Sequence, residues 1–116
     1  MIIKYLSQEA VQHDNAARTD DLGEKDHFEA LFGLASTLIS LGKDHEAAVW
    51  FEKACTLFPN AKEAMPFYAM CLYNLGEHKN AVDMLLNLLI DTTSSEDILT
   101  YKRATKLYAQ DLDRTW

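Results

Sequence analysis

The sequence has little glycine and proline, few cysteines and no long apolar run. Four Gly and two Pro occur among 116 residues, so a chain of many tight turns is not expected. No apolar segment reaches the ~18 residues of a membrane-spanning helix, and the N-terminal residues lack the long apolar core of a secretory signal. Two Cys are too few for a disulfide framework. These features predict a cytoplasmic chain with no membrane partner.

The sequence also lacks positive charge. Its 18 acidic and 11 basic residues leave a net charge of −7. An acidic surface repels phosphate backbones, so nucleic acid is not an expected partner. Ala, Leu, Glu and Lys are frequent, and these residues favour helices. With 48% apolar residues, the chain has enough material for a buried core. The composition predicts an all-α domain.

Signatures of catalysis and metal binding are missing as well. Cys55 and Cys71 are too far apart for a CxxC redox pair or a zinc knuckle. No glycine-rich phosphate loop occurs. No histidine has a second ligand at metal-binding spacing; the four are His13, His27, His45 and His78. The sequence therefore predicts no enzyme, no cofactor and no metal site.

What the sequence does contain is a repeat. Two segments align without a gap at an offset of 34 residues, so that Leu41-Gly42 falls on Leu75-Gly76 and Ala47 falls on Ala81. Phe51 falls on Leu85 at the same offset. A fixed period of this length indicates stacked supersecondary units. The segment therefore predicts two copies of one helical hairpin.

Several residues of the first copy have a predicted structural role. Gly42 suits the left-handed residue that ends a helix, Asp44 can cap the next helix, and Pro59 ends that helix near Leu57. Ala47 is small where the two helices come closest. The inner face of the first helix is predicted from its spacing to be Leu31, Leu34, Leu38 and Leu41.

The pattern predicts six helices, near residues 3–17, 27–41, 44–57, 62–75, 78–91 and 95–113. Ser94 or Ser95 is the expected cap of the last one. Pro66 lies inside the fourth, where a proline removes a hydrogen bond and clashes with the preceding turn. That helix is therefore expected either to begin late, near Glu63, or to kink.

The period, the Leu-Gly pair, the small residue, the aromatic residue, the second Ala and the closing Pro together resemble the tetratricopeptide repeat. The resemblance implies a short right-handed solenoid of antiparallel helix hairpins. It divides one domain, 1–116, into a partial N-terminal repeat and linker (1–27), two repeats (28–61 and 62–93) and a capping helix (94–116). The C-terminal part is similar to small bacterial tetratricopeptide proteins of uncharacterised function, and that likeness implies no activity.

The resemblance also implies a function, protein–protein interaction through a concave groove lined by the first helix of each repeat. Exposed apolar residues there would bind a helical or apolar segment of a protein partner. Phe32 and Ser36 stand where members that clamp acidic chaperone termini need Lys and Asn, so an acidic peptide is not expected. The alternative is that a terminal helix of the chain itself covers the groove. The groove residues are Glu29, Phe32, Ser36, Ile39 and Ser40, then Glu63, Phe67, Met70, Tyr73 and Asn74.

A second hypothesis is a self-assembling structural unit. The N-terminal segment reads as the second helix of a repeat whose first helix is missing, which would leave apolar surface open to water. Closed two-fold pairing would bury that surface in a homodimer with a seam at Ile3, Leu6 and Ala10. In the intramolecular alternative, the same segment folds back against Phe32 and Phe67.

Overall fold

The computed structural model describes residues 23–114, and within that range the regular structure is entirely helical. The all-α prediction is confirmed. The predicted helix over 3–17 and the predicted seam residues Ile3, Leu6 and Ala10 lie outside the described residues. In order, the helices are α1 (Glu24–Ser40), α2 (Asp44–Leu57), α3 (Met65–Asn74), α4 (His78–Thr92), α5 (Glu96–Thr100) and α6 (Lys102–Gln110), with a 3₁₀ turn (Lys62–Ala64) leading into α3.

Two hairpins, α1–α2 and α3–α4, are closed by matching turns. Gly42 and Gly76 adopt φ values of +76° and +86°, which glycine reaches without a side-chain clash. Beyond the first glycine, the Lys43 N–H donates to the carbonyl of Leu38 at 2.9 Å. The Glu77 N–H donates to the carbonyl of Leu72 at 2.8 Å. This 6→1 bond beside a left-handed glycine satisfies a free carbonyl at each helix end, and it confirms the predicted role of the Leu-Gly pairs.

The prediction that Asp44 caps α2 is wrong. Asp44 is the first residue of the helix, Lys43 occupies the cap position, and the cap has no side-chain hydrogen bond. The Asp44 carboxylate instead accepts a hydrogen bond from the Asn74 side-chain amide at 3.2 Å. The carboxylate still lies at the positive end of the helix dipole, and it connects the start of α2 to the end of α3.

Pro66 does not kink its helix. It is the second residue of α3, a position where its missing N–H breaks no helical hydrogen bond. The preceding residues form the 3₁₀ turn, so the late start predicted as one of two outcomes is the one observed. In the first hairpin, the second helix, α2, ends at Leu57 as the following Pro59 predicts.

Two other helix boundaries differ from the prediction. The first described helix begins at Glu24 rather than near residue 27, after Gly23 in an extended conformation. The predicted helix over 95–113 is divided at Tyr101, whose φ of −103° and ψ of 20° leave the α-helical region. Ser95 does cap α5, because its hydroxyl accepts a hydrogen bond from the Ile98 N–H at 3.2 Å.

The core lies between the hairpins and inside each of them. Ala47, Phe51 and Ala54 of α2 are completely buried, and they join residues of α1 and α3 in one cluster. A smaller cluster inside the second hairpin consists of Ala69, Leu72 and Ala81. The buried positions of Ala47 and Ala81 confirm that the helices of each hairpin meet at small residues. Leu41, predicted to face inward, is 63% exposed because it follows the last turn of α1.

Candidate protein-binding surface

The two phenylalanines assigned to the groove contact each other between the hairpins, where both are partly buried. The rings of Phe32 on α1 and Phe67 on α3 meet edge to face with centroids 5.2 Å apart. Phe67 also stacks on Phe51 of α2 at 6.3 Å, and Phe32 meets Phe51 edge to face at 5.9 Å. Aromatic pairs at these distances contribute beyond their buried area. Phe32 and Phe67 therefore join the hairpins with their side chains partly buried, and their place in the predicted groove stays a prediction.

The remaining groove residues of α1 are also largely covered. Ser36 is 3% exposed and Ile39 packs against the core cluster, so Ser36 offers no surface to a partner in this conformation. Glu29 and Ser40 remain exposed. The exposed groove positions on α1 are thus the polar ones, because Phe32 packs against Phe67 of α3 and Ile39 packs against the core cluster.

On α3 the predicted residues are accessible. Met70 and Tyr73 are 47% and 58% exposed, and Glu63 and Asn74 are exposed too. The ring of Tyr73 lies against the imidazole of His78, with centroids 4.4 Å apart. This contact orients the Tyr73 ring along the start of α4 while one side of the ring remains open to solvent.

A second row of exposed apolar residues lies on α4 and was missed by the sequence reasoning. Val82, Leu85 and Leu89 are 40%, 42% and 44% exposed. Their spacing of i, i+3 and i+7 places them on one side of the helix. We call these three residues, together with Met70 and Tyr73 of α3, the open face. The signal that could have found it is the end of the repeat near residue 93, which leaves the second hairpin without a successor.

The two thiols are poorly suited to nucleophilic chemistry. Burial, with the Asp44 carboxylate as a smaller cause, raises the pKa of Cys71 to about 11. Burial also raises the pKa of the Cys55 thiol. A thiol must ionise to act as a nucleophile or a metal ligand. Both side chains therefore remain neutral near pH 7 and pack as small apolar groups.

A shallow cleft lies between α3 and α4. It holds about 420 Å³ and is lined by apolar side chains such as Tyr68 and Met84 and by the acidic Asp83 and Asp91. Burial, with the nearby Glu52 charge as a smaller cause, raises the pKa of the Tyr68 hydroxyl. Within residues 23–114, no group of three or more His, Cys, Asp or Glu side chains could hold a metal ion.

The arrangement of hairpins agrees with a comparison to known families. The tetratrico peptide repeat family model matches residues 6–112 of the chain. A search of curated proteins found no match. None of the helices in the described range is long and apolar enough to cross a membrane. Because the match covers nearly the whole sequence and the hairpins carry the expected turns, the chain belongs to the tetratricopeptide repeat family.

Proposed function

We propose that this chain is a protein–protein interaction module that binds an amphipathic helix of a protein partner on the open face. Membership of the tetratricopeptide repeat family supports the general role, because such repeats are interaction modules. The observation that carries the specific proposal is the exposure of Leu85. Its equivalent in the first hairpin, Phe51, is completely buried, whereas Leu85 is 42% exposed.

The exposed residues of the predicted groove belong to the same surface. Met70 and Tyr73 of α3 are assigned to it because their equivalents in the first hairpin are covered like Phe51: Ser36 is buried and Ile39 packs against the core cluster. Asn74 is the exposed last residue of α3. Phe32, Ser36 and Ile39 contribute indirectly by holding the hairpins together. The partner chemistry suggested is an apolar helix face, because the open face contains aliphatic, thioether and aromatic groups and no charged side chain.

The internal packing of the chain supports a helix over an extended peptide. On the equivalent side of the first hairpin, the occupant is the segment formed by the 3₁₀ turn and α3, which contributes Ala64, Phe67 and Cys71 to the core cluster. These residues are spaced at i, i+3 and i+7, so they form one helix face. A partner helix with small and aromatic residues at that spacing would fit the open face in the same manner.

The family is typically a non-catalytic scaffold, and we assign this chain the same role. The acidic net charge of −7 disfavours nucleic acid as the partner. We also place the chain in the cytoplasm, in keeping with its few cysteines. The homodimer predicted from the N-terminal seam at Ile3, Leu6 and Ala10 is kept as the second candidate function. What favours it is the apolar character of the N-terminal sequence, because apolar surface that a chain leaves exposed commonly marks an interface.

A peptide copied from the chain tests the open face. A fluorescent peptide with the sequence of residues 61–75 and Cys71 replaced by Ala reproduces the helix that packs on the first hairpin. Saturable binding to the protein is expected by fluorescence anisotropy. Leu85→Lys should weaken it at least tenfold, because a charge would have to lose its water against an apolar face.

The matched control is Val49→Lys. Val49 is an apolar residue of α2 with 61% exposure, outside the open face, so this change should leave peptide binding unaltered. The proposal fails if the peptide does not bind, or if the variants at residues 85 and 49 bind it equally well. Circular dichroism of each variant checks that the helices remain intact.

A further inference from the structure

We infer that the open face binds α6 of a second copy of this chain, so that two copies form a reciprocal, two-fold homodimer. The inference rests on the proposed function, since it names a partner for the same surface. It differs from the N-terminal seam predicted from the sequence, because it places the contact between α3, α4 and α6.

The first hairpin shows what the open face is shaped to receive. At the offset of 34 residues, Met70 is equivalent to Ser36, and their exposures are 47% and 3%. The other members of the open face also match residues that are buried or packed against the core of the first hairpin: Tyr73 matches Ile39, Val82 matches Ala48, Leu85 matches Phe51, and Leu89 matches Cys55. In the first hairpin this side is covered by α3; in the second hairpin the equivalent side is open.

The chain's own α6 does not cover the open face. Lys106 of α6 donates hydrogen bonds to the side chains of Asn87 and Asp91 of α4, both at 3.2 Å. Asn87 lies two positions after Leu85, and Asp91 lies two positions after Leu89, which are both members of the open face. Two positions turn a helix by about 200°, so α6 packs on another side of α4.

The outer side of α6 has the spacing that the open face requires. Tyr101, the residue before α6, and Ala104 and Tyr108 within it are separated by three and then four residues. The same spacing separates Ala64 of the 3₁₀ turn from Phe67 and Cys71 on α3. Tyr101 is 67% exposed and Tyr108 is 49% exposed. The α6 helix therefore presents an apolar stripe with the same periodicity as the helix that already occupies the equivalent side of the first hairpin.

Charge favours the same pairing. The nine residues of α6 include Lys102, Arg103 and Lys106 and no acidic residue. Residues 23–92, by contrast, contain five Lys and ten Asp or Glu, so the part of the chain that carries the open face has a net negative charge. Opposite charges at the rim steer association and select the partner. A basic helix on an otherwise acidic chain thus complements the hairpins of another copy.

Reciprocal pairing also doubles the area that one contact would bury. A single apolar patch of a few hundred Å² is small for a stable complex, whereas stable interfaces bury about 1,200–2,000 Å² in total. In a two-fold pair, each copy contributes its α6 and receives its partner's α6. The contact is therefore formed twice, and the pairing closes without leaving a free end for further assembly.

Sedimentation velocity of the full chain between about 1 and 100 µM, a range suited to modest interfaces, tests this inference. We expect the wild type to dimerise. Leu85→Lys and Tyr101→Ser should each raise the dissociation constant at least tenfold. Serine is a good helix-capping residue, so the latter change keeps the start of α6 while removing the aromatic ring. The control Val49→Lys should dimerise as the wild type does.

A mixture of the two variants tests reciprocity. The heterodimer of Leu85→Lys with Tyr101→Ser contains one intact contact, formed by the native α6 of the first and the native open face of the second. Equimolar mixing should therefore restore part of the dimer, which neither variant forms alone. Failure of the mixture to gain any dimer would overturn reciprocal docking.

The remaining outcomes are equally clear. A wild type that is monomeric at 100 µM overturns the inference, and binding of the 61–75 peptide by that monomer would still support the proposed function. If Ile3→Asp with Leu6→Asp yields monomers while Leu85→Lys does not, the N-terminal seam holds the dimer and the inference is wrong. Circular dichroism confirms folding in each case.

Discussion

The first and second hairpins are alike in their turns and different in their surroundings. Gly42 and Gly76 share one left-handed conformation and one pattern of hydrogen bonds, and Ala47 and Ala81 are buried at equivalent positions. Yet Phe51 is fully buried and its equivalent Leu85 is 42% exposed. Helix pairing within a repeat is thus fixed by local sequence, whereas burial of the outer side depends on the next neighbour.

The starts of α2 and α4 show the same contrast. Asp44 at the start of α2 accepts a hydrogen bond from Asn74, a residue of the other hairpin. His78, at the equivalent position of α4, lies against Tyr73 of its own hairpin. The first hairpin is therefore stabilised by its successor, whereas the second hairpin satisfies this position internally.

The largest effect is expected from truncating the two equivalent outer positions. Phe51→Ala should lower the free energy of unfolding by about 3–5 kcal/mol, because it removes a fully buried ring that contacts both Phe32 and Phe67. Leu85→Ala should cost about 1 kcal/mol or less, since much of the side chain is exposed. Urea unfolding followed by circular dichroism measures both.

Equal losses of stability for Phe51→Ala and Leu85→Ala would contradict the difference in burial between the two hairpins, because they would mean that the second hairpin is covered like the first. The measurement belongs at low micromolar protein, where a weak dimer dissociates. Repeating the urea unfolding at high protein concentration tests whether an assembly buries the open face. An added loss for Leu85→Ala at that concentration is expected only if the open face is buried in an assembly.

A smaller effect, and the same in both hairpins, is expected at the small residues between paired helices. Ala47→Leu and Ala81→Leu should each lower stability by about 1–3 kcal/mol, because both sites are buried and an added side chain overfills the contact. Ala48→Leu is the control, since Ala48 is only half-buried on the next position of α2. Matching thermal melts of Ala47→Leu and Ala48→Leu would show that the helix faces are assigned wrongly.

Much of this fold was predictable because its determinants are local in the sequence. The Leu-Gly pairs predict the turns, and Pro59 predicts the end of α2 at Leu57. The backbone geometry of glycine and proline ends a helix at these residues, whatever packs around them. The division of the last helix at Tyr101 was not predictable in the same way, because neither glycine nor proline marks it.

The candidate surface was predicted less completely, for a physical reason. Periodicity shows which residues share a helix side, but not which neighbour covers that side. Phe32 and Phe67 were therefore assigned to a groove although they pack against each other. Met70 and Tyr73 were assigned to it and are exposed. Leu85 and Leu89 align with Phe51 and Cys55, and only the structure shows that the two leucines are exposed because α6 packs elsewhere.

The smallest effect near neutral pH is expected at Cys71 of the second hairpin, whose equivalent in the first hairpin is Thr37. The Thr37 hydroxyl donates to the carbonyl of Gly33 four residues earlier, at 3.0 Å, and does not ionise in the accessible range. The buried Cys71 thiol has its pKa raised to about 11 from an ordinary value of 9.0, first by burial and then by Asp44. The folded state therefore favours the neutral thiol, whereas the unfolded chain ionises at lower pH. The stabilising contribution is complete below pH 9 and is lost as the pH rises toward 11.

Urea unfolding of the wild type should show stability falling more steeply over that window than in Cys71→Ser, whose hydroxyl can bond to the preceding turn as Thr37 does. The difference between the two proteins isolates Cys71 from the lysines and tyrosines that titrate in the same range. Parallel pH profiles for the two proteins would show that the Cys71 thiol does not ionise with an elevated pKa.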